Sequence, residues 1–333
     1  MNLTIKKLVK PVLESCASVL GPHARSASCP SLWLLMYHRV LPASDQRYSQ
    51  EEPGMLLRPE TLQMHIQELR RQFELVSLTD WVNTLQQGGA LPSKACAITF
   101  DDGWSDNYEY AFPVLRALVA PATVFAVAQK IGTNFQFWPN IVASLLVSGA
   151  IAQMAAHPLL AASVTAIPGT ADPPLIATVI RKLKIHSDHQ LHVALEEIDW
   201  RAHCESMPAS LMSWEQLREI RESGLVDVGS HTCTHSRLTR LTSPGQLQFE
   251  IVESKRILEA QLGAPVDLFC FPDGDYDDAA LSLVKQHYRA AVTTRRGINR
   301  LDSLRPHELS RIALHDQMSA SRRLFRARLS AWI

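Results

Sequence analysis

Seven short apolar runs recur along the chain, and segments with helical spacing of their apolar residues lie between them. The runs cover residues 32–37, 95–100, 122–128, 225–229, 266–271, 290–294 and 311–314. Apolar runs of this length are typical of buried β-strands, whereas the segment Thr61–Phe73 places Leu62, Ile66 and Leu69 on one helical stripe. Strands that alternate with helices predict a parallel sheet, which is either open or closed into a barrel.

Start and stop signals mark the ends of several predicted helices. Ser213 and Ser243 each precede a glutamine three residues later, as in the capping box, where the two residues satisfy each other's backbone N–H groups. Gly224 and Gly263 suit the left-handed position that follows a helix. We therefore expect helices that begin after the two serines and end before the two glycines.

The stretch 132–212 interrupts this alternation. Residues 132–171 include no Asp, Glu, Lys or Arg, and residues 141–156 are strongly apolar. A membrane-spanning helix needs about 20 apolar residues, and Gln153, His157 and Pro158 stop this run short. The pattern predicts a helical insertion that caps a cleft, rests on a membrane interface or completes the core.

Two terminal segments flank the predicted core: an N-terminal extension over residues 1–31 and a basic amphipathic helix over residues 317–333. The helix carries Arg322, Arg323, Arg326 and Arg328 beside apolar residues, so it either docks with a solvated basic face or binds anionic lipid. Residues 1–21 have no uninterrupted apolar run, which argues against a cleaved signal peptide. We expect a cytoplasmic protein, with peripheral membrane contact left open.

Composition narrows the class of protein. The 333 residues are 46% hydrophobic and 20% charged, which suits a soluble globular enzyme. The 33 basic and 33 acidic residues balance, so the charge pattern gives no support for a nucleic-acid partner. The six cysteines lack paired spacing, so no disulfide framework is expected.

The strongest chemical signal is the adjacent pair Asp101 and Asp102, which ends one apolar run. Two neighbouring carboxylates do not both ionise in a desolvated site unless a cation or hydrogen-bond donor compensates them. His231 and His235 follow another apolar run, and parallel strands bring their carboxyl ends to one rim. One carboxylate and two imidazoles would bind a divalent metal with open positions; a solvated turn and two histidines sharing a helix face are the alternatives.

Five ordered motifs then resemble the polysaccharide deacetylase family, the NodB-homology proteins of the carbohydrate esterase family 4 type, in its exopolysaccharide branch. These motifs are Leu35-Met36-Tyr37-His38-Arg39-Val40, Thr99-Phe100-Asp101-Asp102-Gly103, Pro121-Ala122-Thr123-Val124-Phe125, Gly229-Ser230-His231-Thr232-Cys233-Thr234-His235 and Phe271-Pro272-Asp273-Gly274-Asp275-Tyr276. The resemblance covers residues 32–316 apart from the insertion. It implies an α/β fold, the distorted (β/α)7 barrel of NodB-like proteins, with a helical insertion.

The resemblance also assigns roles. Asp102, His231 and His235 would bind one divalent metal, most often Zn²⁺, with Co²⁺ or Ni²⁺ as alternatives. Asp101 would act as the base that deprotonates water. His315, in Ile312-Ala313-Leu314-His315-Asp316, would protonate the departing amine.

A third group of residues would bind the oxyanion or the substrate: Pro272, Asp273, His38 and Tyr276. Trp104, Tyr108 and Trp138 are further candidates for stacking on a sugar ring. The family often has Arg-x-Pro-Tyr-Gly at the last of these motifs, with the arginine orienting the base, and this chain has Cys270 at the position of that arginine. Arg39 and Arg311 are the candidates to replace it.

The sequence thus predicts a metal-dependent N-deacetylase that removes acetate from N-acetylhexosamine residues of a polysaccharide or its lipid-linked precursor. A deformylase or O-deacetylase acting on another amino sugar or glycan is one alternative. A catalytically silent carbohydrate-binding protein with the same fold is the other. The oligomeric state stays open.

Overall fold

Seven parallel strands close into a barrel built from the predicted apolar runs. The computed structural model describes residues 3–52, 54–165, 171–204, 207, 209–241 and 243–332. The barrel strands are β1 (Ser31–Tyr37), β2 (Lys94–Phe100), β3 (Ala122–Ala126), β4 (Val226–Ser230), β5 (Leu268–Cys270), β6 (Ala290–Arg296) and β7 (Leu309–Ala313). Each strand pairs with the next in chain order, and β7 pairs with β1. The predicted (β/α)7 barrel is therefore confirmed.

Short strands decorate the barrel. Arg39–Val40 pairs with Leu56–Leu57, Glu74–Leu75 lies parallel to β2, and Asn299–Arg300 runs antiparallel to β1. These pairs are two residues long, which is too short to leave a period in the sequence.

Helices connect the strands and cover the barrel. They are α1 (Leu3–Leu20), α2 (Pro59–Leu69), α3 (Leu78–Gln86), α4 (Phe112–Ala117), α5 (Trp138–Val147), α6 (Ile151–Ala156), α7 (Pro158–Val164), α8 (Pro173–Leu183), α9 (Asp188–Glu197), α10 (Trp200–His203), α11 (Trp214–Glu222), α12 (Pro244–Gln248), α13 (Ser254–Leu262), α14 (Asp278–His287), α15 (Asp316–Ser319) and α16 (Arg322–Leu329). Both predicted capping boxes, at Ser213 and Ser243, are present, and Gly263 ends α13 with a positive φ.

Alternating strand residues face the inside and the outside of the barrel. Leu34, Ala97, Leu268 and Leu309 belong to an interior cluster, and α3 contributes Trp81 to it. Successive side chains of a strand point to opposite faces, so the residues two positions further along continue these inward rows. In three of these four strands, the inward-facing residue two positions further along is polar or a thiol. The reactive side chains therefore lie at the carboxyl ends of the strands.

The insertion has a hydrophobic core of its own. Helices α5 to α10 bury Leu145, Val179, Leu191 and Trp200 in a cluster separate from the barrel core. It therefore packs as a helical unit whose remaining surface is free to line a cleft.

The helices at the two ends of the chain pack against each other, α1 on α16. Helix α16 buries Phe325 and Leu329, and the Trp33 indole N–H donates to the Leu329 carbonyl at 2.9 Å. The basic segment thus forms a docked helix, as one of its two interpretations predicted. Among the described residues, no helix combines the length and the apolar character needed to cross a bilayer.

Candidate active site

A cleft of about 660 Å³ opens at the carboxyl ends of the barrel strands. Loops that follow β1, β2, β4 and β5 form one wall, and the insertion forms the opposite wall. The structure thus supports the cleft-capping interpretation of the insertion.

Asp102, His231 and His235 converge in this cleft. Asp102 Oδ1 lies 3.4 Å from His231 Nε2 and 3.4 Å from His235 Nε2. Two ligands bound at the zinc distances of about 2.0–2.2 Å with a tetrahedral angle are about 3.3–3.6 Å apart. The spacing of these three atoms therefore fits one ion held between them.

Neighbouring groups fix the orientation of two of these ligands. The Trp104 indole N–H donates to Asp102 Oδ2 at 2.8 Å, and the Cys270 carbonyl lies 2.9 Å from His231 Nδ1. These contacts leave Asp102 Oδ1, a buried atom without a hydrogen-bond partner among the described residues, and His231 Nε2 facing each other. An orphaned carboxylate oxygen opposite two imidazole nitrogens is what a metal ion would satisfy.

A second group, Asp101, His231 and Cys270, also has its ligand atoms within 4.8 Å of one another. The Arg311 guanidinium, however, donates to both Asp101 oxygens and lies 3.2 Å from Cys270 Sγ. A cation there would face a buried positive charge, so this group does not fit a metal.

Asp101 is instead bound by Arg311, which lies on the inward face of β7. The arginine donates to Asp101 Oδ1 at 2.6 Å and to Oδ2 at 2.7 Å, and its Nε donates to the Thr293 carbonyl at 2.9 Å. Both partners are almost completely buried. Burial opposes ionisation of Asp101, but Arg311 outweighs it and holds the pKa of Asp101 below its usual value.

This contact shows which of the two candidate arginines reaches Asp101, the residue expected to act as the base. Arg39, the other candidate, is bonded to Glu51 and to Asp106 at 2.9 Å, and its guanidinium lies 4.2 Å from the Trp104 ring. Arg39 thus stabilises the loop beneath the cleft, whereas Arg311 contacts Asp101.

The ligand residues influence one another's ionisation. Burial raises the pKa of Asp102, but the His231 and His235 imidazoles outweigh it, and the pKa is lowered. Burial lowers the pKa of His231, but Cys270 and Asp102 outweigh it, and the pKa lies above its ordinary value. A bound cation would likewise favour the ionised form of Asp102, and it would require both imidazoles to be neutral.

Backbone strain is concentrated at the cleft. Asp102, Thr232, His235 and Asp273 all adopt positive φ, between 54° and 76°. Non-glycine residues rarely occupy this region, and such outliers cluster at functional sites.

The structure places the expected proton donor, His315, apart from His38, which was expected to bind the oxyanion or the substrate. His38 lines the cleft, and its Nε2 lies 3.9 Å from Asp101 Oδ2. His315 is absent from the cleft wall among the described residues; a Cβ on Gly54 would lie 4.0 Å from its Nε2, and its Nδ1 is buried without a partner there. Burial and the Arg328 charge lower the pKa of His315 to about 4.

Of the four residues expected to bind the oxyanion or substrate, two line the cleft and two do not. Asp273 and His38 line the cleft, whereas Pro272 is buried behind it. The Tyr276 hydroxyl donates to Glu308 at 2.8 Å, which takes Tyr276 away from the cleft. Gly274, with φ +69°, keeps the Asp273 turn close to β6, because a Cβ there would lie 2.2 Å from Thr294 Oγ1.

Aromatic side chains form much of the cleft wall. Trp104 and Trp138 line it as predicted, and Phe135 and Phe137 of the insertion join them. Tyr108 does not, and its hydroxyl donates to Glu219. The two phenylalanines sit in an uncharged segment whose sequence gives no sign that it meets the strand ends.

Comparisons with known proteins identify the family of the chain. A family model described as polysaccharide deacetylase matches residues 88–167 and 175–292, more than half of the chain. YxkH of Bacillus subtilis, assigned by name to the polysaccharide deacetylases, is 24% identical over 232 residues, 69% of this chain and 55% of YxkH. The chain thus spans about half the length of this curated relative.

Solved structures share the fold. The Streptococcus pyogenes deacetylase PplD, in complex with acetate, is 18% identical with a TM-score of 0.59, over 90% of this chain and 99% of PplD. IcaB from Ammonifex degensii is 20% identical with a TM-score of 0.58, over 90% of this chain and 97% of IcaB. Because the family model matches more than half of the chain, the chain belongs to the polysaccharide deacetylase family.

Proposed function

We propose that this chain is a metal-dependent N-deacetylase that hydrolyses the N-acetyl group of N-acetylhexosamine residues in a polysaccharide or its lipid-linked precursor. One observation carries the proposal: an ionised, arginine-bound Asp101 and the ligand set of Asp102, His231 and His235 share one aromatic cleft. The family match and the structural relatives named for deacetylation support the reaction type.

The ligand set would hold one divalent cation, with zinc expected and cobalt or nickel as alternatives. When bound, the cation would acidify a water molecule and polarise the amide carbonyl. The chain itself holds the ligands in place through Trp104 and the Cys270 carbonyl. Loss of such orienting contacts commonly weakens metal affinity tenfold to a hundredfold.

Asp101 accepts the proton of the attacking water. Its carboxylate is ionised at neutral pH. Arg311 occupies one edge of it through two parallel hydrogen bonds and the Cys270 thiol donates to Oδ2 at 3.6 Å, which leaves Oδ1 with a lone pair for the proton of the water. Because the arginine bonds in a fixed planar fork, it also sets the angle of the carboxylate. The Asp273 backbone N–H is our candidate donor to the oxyanion.

His38 donates the proton to the departing amine. The water oxygen bonds to the carbonyl carbon, the carbon–nitrogen bond breaks, and the amine nitrogen takes the proton, leaving acetate and a free amino sugar. His38 lies in the cleft beside Asp101, whereas a His315 side chain with a pKa of about 4 carries almost no proton at neutral pH. The proposal therefore moves the acid from His315, where the resemblance put it, to His38.

The test combines metal analysis with product analysis of the full chain. We expect about one equivalent of bound metal and acetate release from N-acetylglucosamine oligomers, with release lost in Asp101→Asn. Asp106→Asn is the matched control, because Asp106 is equally buried and arginine-bound but does not line the cleft. Failure to bind metal under replete conditions would refute the catalytic proposal. Bound metal with release of formate, or of acetate from O-acetylated glycans only, would refute the N-deacetylase assignment.

A further inference from the structure

Helix α1 exposes an apolar stripe to solvent. Val12, Leu13, Val19 and Leu20 are each more than half exposed, and Cys16 is exposed among them. At 100° per residue these five positions fall within an arc of about 120° of the helix surface. A continuous apolar stripe of this kind is not expected on a helix that faces only water.

The opposite face of the same helix is already occupied. Ala17 and Ser18 are buried, and Glu14 turns inward to Arg323 of α16 at 3.1 Å. The exposed stripe is therefore not needed to dock α1 on the barrel. Burial of the stripe would therefore require a binding partner other than the barrel and α16.

An aromatic side chain extends the stripe at one end. Gly21, directly after α1, approaches the end of the chain so closely that a Cβ there would lie 2.6 Å from Ser330 Cβ. Trp332, two residues further on, is 53% exposed, and the Arg25 guanidinium lies 6.0 Å from its ring. A half-exposed tryptophan beside a cation is the pairing found at membrane–water interfaces.

Charge is distributed unevenly along the sequence, with an excess of basic residues in the two terminal segments. The whole chain balances 33 basic with 33 acidic residues, yet segments 1–30 and 319–333 together hold eight basic residues and one acid. That acid is Glu14, which is bound inward. Arg322 and Arg326 contact Glu68 but remain 56% and 36% exposed at their side chains.

We propose that the stripe of α1 together with Trp332 docks on an anionic lipid bilayer. The apolar residues enter the interface while Lys10, Arg25 and the exposed arginines of α16 meet acidic headgroups. A second copy of the chain is disfavoured as the occupant, because a symmetric contact would bring the two cationic surfaces together. Such docking would hold the protein beside lipid-borne substrates.

The test is sedimentation of the full chain with vesicles. We expect binding to phosphatidylcholine vesicles that contain about a quarter phosphatidylglycerol, weakened at about 0.5 M salt. Val12→Glu and Val19→Glu should each weaken this binding about tenfold or more. Val119→Glu is the matched control, because Val119 is 72% exposed and lies outside α1. All these side chains are solvent-exposed, so thermal unfolding should be unchanged.

Four results would overturn the proposal. The wild-type chain could stay in the supernatant with every vesicle, or it could bind pure phosphatidylcholine equally well. Light scattering could also show a dimer that Val12→Glu dissociates, which would make a second copy the occupant. Vesicle binding that all three variants retain would likewise remove α1 as the docking element.

Discussion

Replacing Arg311 with methionine tests how the barrel controls the charge of its base. Methionine keeps much of the volume and removes the guanidinium, so Asp101 is left buried beside no cation at all on that edge. Breaking a buried ion pair from one side costs about 3–5 kcal/mol of unfolding free energy. The pKa of Asp101, now below its usual value, should rise, since burial alone shifts a carboxyl upward by up to about 3–5 units.

Two measurements follow from this shift. In the wild type Asp101 is ionised throughout the neutral range. The loss of kcat/KM that follows its protonation, the acidic limb of the pH profile, therefore lies at low pH. In Arg311→Met that limb should move towards neutral pH, because the base is protonated until the raised pKa is passed. Acetate release measured across pH gives the limb directly.

Stability must change with pH in the matching direction. A lowered pKa in the folded state makes Asp101 stabilising above its unfolded pKa, and this contribution is lost as the pH falls through the folded pKa. In Arg311→Met the sign reverses, so the stability deficit is largest at neutral pH and shrinks in acid, where Asp101 takes a proton. Urea unfolding at about pH 7 and about pH 4 measures both ends.

Arg39→Met is the matched control for these effects. Arg39 is also buried and bound to two carboxylates, but it does not contact Asp101. We expect a comparable loss of stability and an unmoved acidic limb. An Arg311→Met enzyme whose acidic limb coincides with that of the wild type would refute the reasoning, as would a double Arg311→Met, Asp101→Asn variant no more stable than the single one.

Three further predictions rest on single contacts. Trp104→Phe should lower zinc affinity about tenfold to a hundredfold, measured by competition with a chromogenic chelator, and unchanged affinity would contradict the orienting role of its indole. His38→Asn should reduce kcat about a hundredfold or more, while His315→Asn should retain most of it; the reverse ranking would return the acid to His315. Gly274→Ala should destabilise the fold by about 2 kcal/mol or more in urea unfolding, because a Cβ meets β6, whereas Gly245→Ala, with no atom within 4 Å, should not; equal effects would show that the close approach carries no energy.

The fold was predictable because strands leave strong local patterns. All seven apolar runs became barrel strands, and each of the two capping serines begins a helix. Barrel closure itself depended on the family resemblance, since an open and a closed parallel sheet share one alternation of strands and helices. The ends of strands were less certain: the run 266–271 yields only Leu268–Cys270 as strand.

The site was predictable only as far as residue types and strand ends allow. Asp102, His231 and His235 lie together as expected. The sequence did not distinguish Arg39 from Arg311 as the partner of Asp101, because only the three-dimensional packing shows which guanidinium reaches that carboxylate.

The two candidate acids illustrate the same limit. Met36 and Ala313 are register partners on neighbouring strands, so His38 and His315 occupy equivalent positions two residues later. Both belong to motif-like sequences at one rim. Only the placement of each side chain, in the cleft or beneath the Gly54 loop, separates them.

The contact between Asp101 and Arg311 joins residues 210 positions apart in the chain. Arg311 belongs to the last strand, whose pairing with β1 closes the barrel. A chain in which only the first six strands have formed would therefore hold the candidate metal ligands and Asp101, but Asp101 would lack the Arg311 counter-charge, and burial without it raises the pKa of a carboxyl group. The candidate site would then be complete only when the final strand is inserted, so its proposed chemistry depends on closure of the barrel.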